Sequence, residues 1–194
     1  MNRKIITLSA MCYIVIFFNI AYGGSLHHSI GLYYVSGLND VVDVIEHNLE
    51  ERGYSVDTFK WPIGLSYQPY YQFDNGLRLG AGIGPAVMTF GDVDFYDIPL
   101  KFNVGYTFFQ KNSVSPYIKI GAAYHIADGD FVDGGELGFT SSIGIEFSKS
   151  NYLRWGLEVT YDSTELDFEY YGNWRRTTKA VKPAELVIGF FVVF

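Results

Sequence analysis

The sequence predicts an all-β fold, an eight-stranded antiparallel up-and-down transmembrane β-barrel. Tyr and Phe each occur 16 times in the 194 residues, whereas charged residues make up only 18% of them. Mean hydropathy is +0.09, which is too low for a helical membrane protein but suits strands whose alternate residues face lipid. Successive segments also alternate apolar and polar residues, which is the pattern of a strand with two unlike faces.

The first 23 residues have the pattern of a secretory signal peptide. Arg3 and Lys4 precede an apolar run over 5–18, and the small residues of Ala21-Tyr22-Gly23 suit a cleavage site. We therefore expect cleavage near Gly23 and a barrel domain over 24–194. An uncleaved anchor helix is the alternative, because the apolar run is almost long enough to span a bilayer.

Removal of this segment changes what the mature chain can bind. Cys12, the only cysteine, would be lost, so neither a disulfide nor a cysteine-based metal site is expected. Loss of Arg3 and Lys4 takes the formal net charge from −7 to −9, which argues against a nucleic-acid partner.

The clearest strand covers 153–162. Its apolar face is formed by Leu153, Trp155, Leu157, Val159 and Tyr161, and about ten tilted residues suffice to cross a bilayer. Seven similar strands are predicted near 29–36, 58–73, 77–90, 96–109, 114–127, 137–148 and 184–194. Short turns at 74–76, 110–113 and 149–151 alternate with longer loops at 37–57, 91–95, 128–136 and 163–183, as periplasmic turns alternate with extracellular loops.

Eleven strand glycines share the inward face once the apolar face of each strand is placed outward. They are Gly31, Gly64, Gly80, Gly82, Gly84, Gly105, Gly121, Gly138, Gly144, Gly156 and Gly189. A small barrel has little interior volume and must mix small with large inward residues. The pattern therefore favours a barrel and leaves open whether its lumen is hollow.

The first long loop is predicted to contain a short helix over 40–52. Val41, Val42, Ile45 and Leu49 recur at near-helical spacing, Asn39 or Asp40 can cap the start, and Gly53 follows the end. We expect a lid whose apolar stripe rests on the barrel mouth. A partner-binding or lipid-surface helix is the alternative.

The last strand, Leu186-x-Ile188-x-Phe190-x-Val192-x-Phe194, together with the signal peptide and the paired strands, resembles bacterial outer-membrane β-barrels. In size the chain is similar to the OmpA transmembrane domain, OmpX and OmpW. Residues 35–43 also resemble porin-family outer-membrane barrel proteins. The resemblance implies the outer membrane of a Gram-negative-type bacterium, with outer-membrane lipid and lipopolysaccharide as surroundings. It also implies insertion by the barrel-assembly machinery, which would recognise Phe190, Val192 and Phe194. We expect a monomer without a cofactor.

Nine charged residues are predicted to point into the lumen. They are Lys60, Arg78, Lys101, Lys119, Glu146, Arg154, Glu158, Asp162 and Glu185. An unpaired buried charge costs several kcal/mol, so these side chains are expected to pair across the lumen. The network then either plugs the barrel or lines a narrow polar path.

An enzyme is not expected. His125 is predicted to be an inward residue near the outer rim, which Asp128, Asp130 and Ser163 could approach, but spacing defines no Ser-His-acid geometry. The lipid A deacylase pattern has a serine two residues after its histidine, where this chain has Ala127. His125 is therefore expected to be an ordinary lumen residue.

Two loops carry further candidate sites. Asp128, Asp130, Asp133 and Glu136 form a weak candidate Ca²⁺ site, with solvated turn acids as the alternative. Arg175, Arg176, Lys179 and Lys182 cluster near Trp174 and could contact lipopolysaccharide phosphates or form a solvated loop. The preferred function is a structural or surface-interaction role. A narrow channel for ions or small solutes is the alternative, and a lipid A-modifying enzyme the third.

Overall fold

The computed structural model describes residues 23–56, 58–59, 61–91, 94–148, 153–172 and 175–194. The predicted signal peptide, apart from Gly23, lies outside the described residues, as do Lys60 and Trp174. Within the described part, no helix has the length and apolar character needed to cross a membrane.

The described chain forms twelve strands and one helix. In chain order they are β1 (Gly24–Val35), α1 (Leu38–Glu51), β2 (Thr58–Phe59), β3 (Ile63–Phe73), β4 (Leu77–Met88), β5 (Phe90–Gly91), β6 (Phe95–Thr107), β7 (Val114–Gly129), β8 (Val132–Ser148), β9 (Arg154–Asp162), β10 (Leu166–Gly172), β11 (Arg175–Val181) and β12 (Leu186–Val193). Eight strands close a barrel in the order β1, β12, β9, β8, β7, β6, β4 and β3, and every pair is antiparallel. The predicted eight-stranded up-and-down barrel is confirmed.

Strand β1 closes the barrel because it pairs on both of its edges. Its register runs from Gly24↔Phe73 to Tyr34↔Ile63 with β3, and from Ser29↔Val193 to Val35↔Val187 with β12. Side chains alternate across the wall, as strand geometry requires. Leu32 on the outer face is 56% exposed, whereas the inward Tyr33 is 5% exposed.

The two ends of the barrel differ. The turn end carries the short connections at 74–76 and 108–113, together with Gly24 and Phe194. The loop end carries α1 and two small sheets, β2–β5 and β10–β11. Because β10 and β11 pair antiparallel, the predicted 163–183 loop is largely a hairpin.

Three predicted strand boundaries were wrong. β3 begins at Ile63 rather than near residue 58, and Thr58–Phe59 form the separate strand β2, which pairs with β5. β1 begins at Gly24 rather than near residue 29, so His27 and His28 also lie in a strand. The predicted loop 128–136 is mostly strand, because the β7–β8 register continues to Gly129↔Val132 and leaves only Asp130 and Phe131 in the turn.

Helix α1 confirms the predicted helix but begins earlier. Its N-cap is Gly37, which offers no side-chain hydrogen bond, so the predicted capping by Asn39 or Asp40 was wrong: both residues lie within the first turn. Gly53, just past the helix, has φ of 85°, a value that glycine adopts readily.

The apolar side of α1 packs over the loop end of the barrel. Val41 and Ile45 are fully buried. They belong to one apolar cluster with Val35, Val87, Phe95, Ala127, Val132 and Val187 of the barrel, and Leu166, Phe168 and Val181 of the hairpin. The helix, the hairpin and the barrel mouth thus share a single core, which we call the lid core.

Candidate functional site

Large inward side chains fill the space beside the inward glycines. A Cβ atom added at Gly144 would come closer than 3.0 Å to the ring of Tyr117, and one at Gly156 would meet the ring of Phe191 equally closely. The missing Cβ atoms therefore make room for the aromatic rings of Tyr117 and Phe191 at these two positions.

The ion-pair layer nearest the turn end is centred on Glu146. Its carboxylate accepts a hydrogen bond from Arg78, and Arg154 Nη1 lies 3.4 Å from Glu146 Oε2. The Arg78 guanidinium lies over the Tyr70 ring at 4.0 Å and the Tyr117 ring at 4.6 Å. Both Arg78 and Glu146 are almost completely buried, so the charge of each is compensated by the other rather than by water.

The middle layer is centred on Glu158. Lys119 Nζ lies 2.6 Å from Glu158 Oε2. The Tyr117 hydroxyl donates to the same oxygen, and Thr160 Oγ1 donates to Oε1 at 3.1 Å. Both carboxylate oxygens are therefore hydrogen-bonded, which is what a buried carboxylate needs.

The layer nearest the loop end is centred on Asp162. Its Oδ2 lies 3.2 Å from His125 Nε2 and 3.5 Å from Lys101 Nζ, and its Oδ1 accepts from the Thr164 hydroxyl at 2.7 Å. His125 is completely buried. Its Nδ1 lies 2.7 Å from Oδ2 of Asp97.

Asp97 was missed by the sequence analysis. It shares the inward parity of Lys101 on β6, so the alternation that selected Lys101 would also have selected it. The residues that could approach His125 bond to other partners: Asp128 accepts from the Tyr96 hydroxyl, and Ser163 Oγ accepts from the Phe139 amide. Asp130 accepts from the Asp94 amide.

Little free volume remains between the first two layers. The cavity there, lined by residues that include Ser29, Gln68 and Asn103, offers about 20 Å³ to the centre of a water molecule. A single water needs roughly 10–15 Å³ on this measure. The cavity therefore has room for about one water.

Glu185 does not belong to the lumen. Its side chain is 53% exposed at the loop end and lies 3.2 Å from Lys182 Nζ. Glu185 precedes β12, which begins at Leu186, so the alternation of the strand does not determine its direction.

Asn48 of α1 fastens the lid to the hairpin. Its Nδ2 donates to the Glu169 carbonyl, and its Oδ1 accepts from the Tyr171 amide at 2.8 Å. The side chain is completely buried. One amide group thus satisfies a donor and an acceptor on the edge of β10, as a neighbouring strand would.

Two further side chains of the lid reinforce this contact. The His47 ring stacks on Tyr170 with centroids 4.7 Å apart. The Arg52 guanidinium lies 4.6 Å from the Phe131 ring centre and 4.4 Å from that of Tyr171. Such cation–π contacts add to the apolar packing of the lid core.

The predicted cationic cluster of the last loop lies on or beside β11, but acids accompany it. Arg176 pairs with Glu169, and Lys182 lies near both Glu165 and Glu185. The hydrogen bond to Glu185 raises the pKa of Lys182 above its usual value. Lys179 Nζ lies 5.3 Å from the centre of the Tyr170 ring. The backbone of Arg175 pairs with Gly172, and its side chain lies outside the described part.

The weak candidate Ca²⁺ site is not assembled by the described side chains. Among them, no three His, Cys, Asp or Glu residues come together to hold a metal. Asp128 and Asp130 are engaged by Tyr96 and Asp94, and Glu136 is exposed on β8. The side chain of Asp133 is not among those described.

Comparison with solved structures identifies the architecture. The outer-membrane protein OprG from Pseudomonas aeruginosa aligns with a TM-score of 0.56 and 12% identity, over 89% of this chain and 97% of that one. The fold is that of a small outer-membrane β-barrel. The Escherichia coli outer-membrane protein W also aligns, with a TM-score of 0.49 and 13% identity over 90% of this chain and 98% of that one. Neisserial surface protein A aligns with a TM-score of 0.48 and 12% identity, over 88% and 97%.

Sequence comparisons add no closer relative of this small outer-membrane barrel. No family model matches the chain, and no curated protein does. At 12–13% identity the likeness to the solved barrels is one of fold, and their functions are not transferred by it.

Proposed function

We propose that this chain is an outer-membrane protein with a filled lumen, which serves a structural or surface-interaction role through its loop end. The packing of the lumen supports the proposal most directly. Arg78–Glu146, Lys119–Glu158 and the Asp162 cluster form successive layers, and the cavity between the first two has room for about one water.

The outer surface supports location in a membrane. Leu32, Leu65, Phe102, Ile120 and Ile143 are among the apolar side chains on it, and each is more than half exposed. So large an apolar surface on a closed barrel would be unstable in water and suits lipid. We place the loop end at the cell surface and the turn end in the periplasm, since external loops are the longer ones in such barrels.

Single-channel recording tests the filled lumen. The refolded protein should show no unitary conductance in planar bilayers beyond that of a detergent blank. A shift between heated and unheated samples on gels would confirm that the barrel is folded. Reproducible unitary events would replace this proposal with the alternative, a narrow channel for ions or small solutes.

A variant without the lid tests whether α1 or the ion-pair layers close the lumen. Replacing 37–53 by a short flexible linker removes α1 but leaves the ion-pair layers below it. We expect this variant to remain silent, because the layers close the lumen themselves. Conductance of the linker variant alone would show that the lid, rather than the lumen, closes the barrel. Asn48→Ala provides a milder perturbation if the linker variant does not fold.

A catalytic role has a separate test. His125 is completely buried and lies between two aspartates, and its contacts within the described residues include no serine, threonine or cysteine that could serve as the nucleophile of acyl transfer. Overexpression should leave the mass spectrum of lipid A unchanged. New lipid A species that disappear in a His125→Gln variant would contradict the non-enzymatic assignment.

A further inference from the structure

The β10–β11 hairpin has two edges in unlike states. On the outer edge of β10, the Glu169 amide donates to the Phe131 carbonyl at 2.9 Å, and Asn48 bonds to the Glu169 carbonyl and the Tyr171 amide. This edge is thus closed by the turn of the β7–β8 hairpin and by the lid. The opposite edge of the hairpin belongs to β11.

The register shows which groups of β11 face that second edge. In an antiparallel ladder, residues alternately direct their N–H and C=O groups towards and away from the partner strand. Glu169 and Tyr171 direct theirs away from β11, so their partners Thr178 and Arg176 direct theirs away from β10. The same holds for Ala180. In the described chain, these groups of β11 have no hydrogen-bond partner.

The edge is presented by a firmly held sheet. Leu166 and Phe168 are at most 1% exposed, and Val181 is 6% exposed, all within the lid core. A preformed edge loses little conformational entropy when a partner binds. The β11 edge is therefore a built surface rather than a loose loop.

The chemistry of β11 indicates the partner. Its sequence, Arg175-Arg176-Thr177-Thr178-Lys179-Ala180-Val181, contains three cations and no acid. Because side chains alternate across a strand, Arg176 and Lys179 lie on opposite faces of the sheet, and Arg176 also pairs with Glu169 of β10. An added strand would meet cations on both faces.

We infer that the free edge of β11 binds an extended, acidic polypeptide segment of a partner protein by strand addition. In this mode, main-chain hydrogen bonds supply affinity and side chains supply specificity. The inference rests on the proposed surface role and names the partner class of the loop end. Lipopolysaccharide phosphates could bind the same cations but would leave the strand edge unpaired, so the edge favours a polypeptide.

Peptide binding tests the inference. The probe is a labelled peptide Glu-Val-Glu-Thr-Glu-Val-Glu, titrated against the full refolded chain in micelles and followed by fluorescence anisotropy. The same peptide with N-methyl groups on alternate residues, which block one edge, should bind at least tenfold more weakly. A peptide with Lys at every Glu position should not bind.

Two substitutions at one position test the backbone edge. Thr178→Pro removes the edge N–H without removing a bond to β10, and should weaken binding at least tenfold. Thr178→Val keeps the N–H and is the matched control, with binding within twofold of the original chain. Hydrogen exchange at Phe168 and Tyr170, whose amides face β11 in the register, checks that the hairpin persists in the proline variant.

The outcomes are distinguishable. Strand addition would be overturned if the N-methylated and unmodified peptides bound equally well. It would also be overturned if Thr178→Pro, with its hairpin intact, bound the peptide as tightly as the original chain. If the acidic peptide does not bind, purified lipopolysaccharide provides the alternative. Lipopolysaccharide that binds the Thr178→Pro chain normally, but not the chain with Arg176→Glu and Lys179→Glu, would show that the cations bind anionic lipid. A chain that is silent in bilayers but binds no acidic peptide refutes only this inference, whereas unitary conductance refutes the filled lumen.

Discussion

Substitution of Asn48 by alanine should release the lid from the hairpin without unfolding the barrel. Asn48 is completely buried and makes two hydrogen bonds to β10, one to the Glu169 carbonyl and one from the Tyr171 amide. Each is worth about 0.5–1.5 kcal/mol net, so the loss of both should destabilise the docked lid by about 1–3 kcal/mol. That corresponds to about a 5- to 150-fold increase in the opening equilibrium.

Hydrogen exchange measured by mass spectrometry can detect this local opening. Peptides that cover α1 and β10 should exchange faster in Asn48→Ala by the same factor, while peptides from β7 and β9 keep their protection. An amide exchanges through a local opening, independently of global unfolding, when the free energy of that opening is lower than the free energy of unfolding. Glu50→Ala is the matched control, because Glu50 is exposed on the same helix and should leave exchange of β10 unchanged.

Two results would refute this reasoning. If exchange of the Tyr171 amide were unchanged in Asn48→Ala, the side chain would not fasten the lid. If barrel peptides accelerated as much as lid peptides, the lid and the barrel would unfold as one unit. The first result would concern the hydrogen bonds themselves, and the second the independence of the lid.

Two further predictions concern charged pairs. Lys119→Gln leaves the buried Glu158 without its cation and should lower the free energy of unfolding in urea by about 3–5 kcal/mol; adding Glu158→Gln should restore most of it, and equal stability of the single and double variants would contradict the pairing. At the loop end, Glu185→Gln should lower the pKa of Lys182, because the hydrogen bond to Glu185 raises it. The charged lysine is the paired form, so this contact is complete at neutral pH and is lost as pH rises through the raised pKa; an NMR titration unaltered by Glu185→Gln would count against it.

Strand alternation predicted the barrel well where each strand has two unlike faces, and less well at strand ends. The start of β1 was missed because His28 is a polar residue on the outer face. The structure shows what makes this position suitable: His28 stacks on Tyr67 and Phe194, at 6.0 and 5.9 Å between ring centres. These partners come from β3 and from the end of the chain, so no local pattern could identify them.

Composition misled the prediction at the β7–β8 connection. Asp and Gly are rare in strands, and they fill much of 128–136, so a loop was expected. The ladder nevertheless continues through Asp128↔Asp133, because each strand supplies the other with backbone partners. Pairing across the hairpin thus outweighs local propensity.

The alternation of inward and outward residues along each strand predicted most of the buried charges, but it could not predict which of them pair. Lys119 on β7 reaches Glu158 on β9, and Arg78 on β4 reaches Glu146 on β8. These pairs cross the lumen between strands that are not neighbours, so they depend on strand tilt and register, which alternation alone does not define. Glu185 was placed wrongly for another reason: it precedes β12, and alternation predicts the direction of a side chain only within a strand.

The ion-pair layer around Asp162 and the loop end form one connected structure. Asp162 ends β9 and accepts hydrogen bonds from the backbone N–H and the hydroxyl of Thr164, the second residue of the following loop. The same carboxylate lies near Lys101 and His125 inside the barrel. Asp162 Oδ1 thus holds the start of the segment that leads into β10. The next part of that segment, Leu166 and Phe168, is buried in the lid core. A barrel that only enclosed a channel would not need its uppermost ion-pair layer to position an external hairpin. This connection argues that the lumen supports the surface that the hairpin presents.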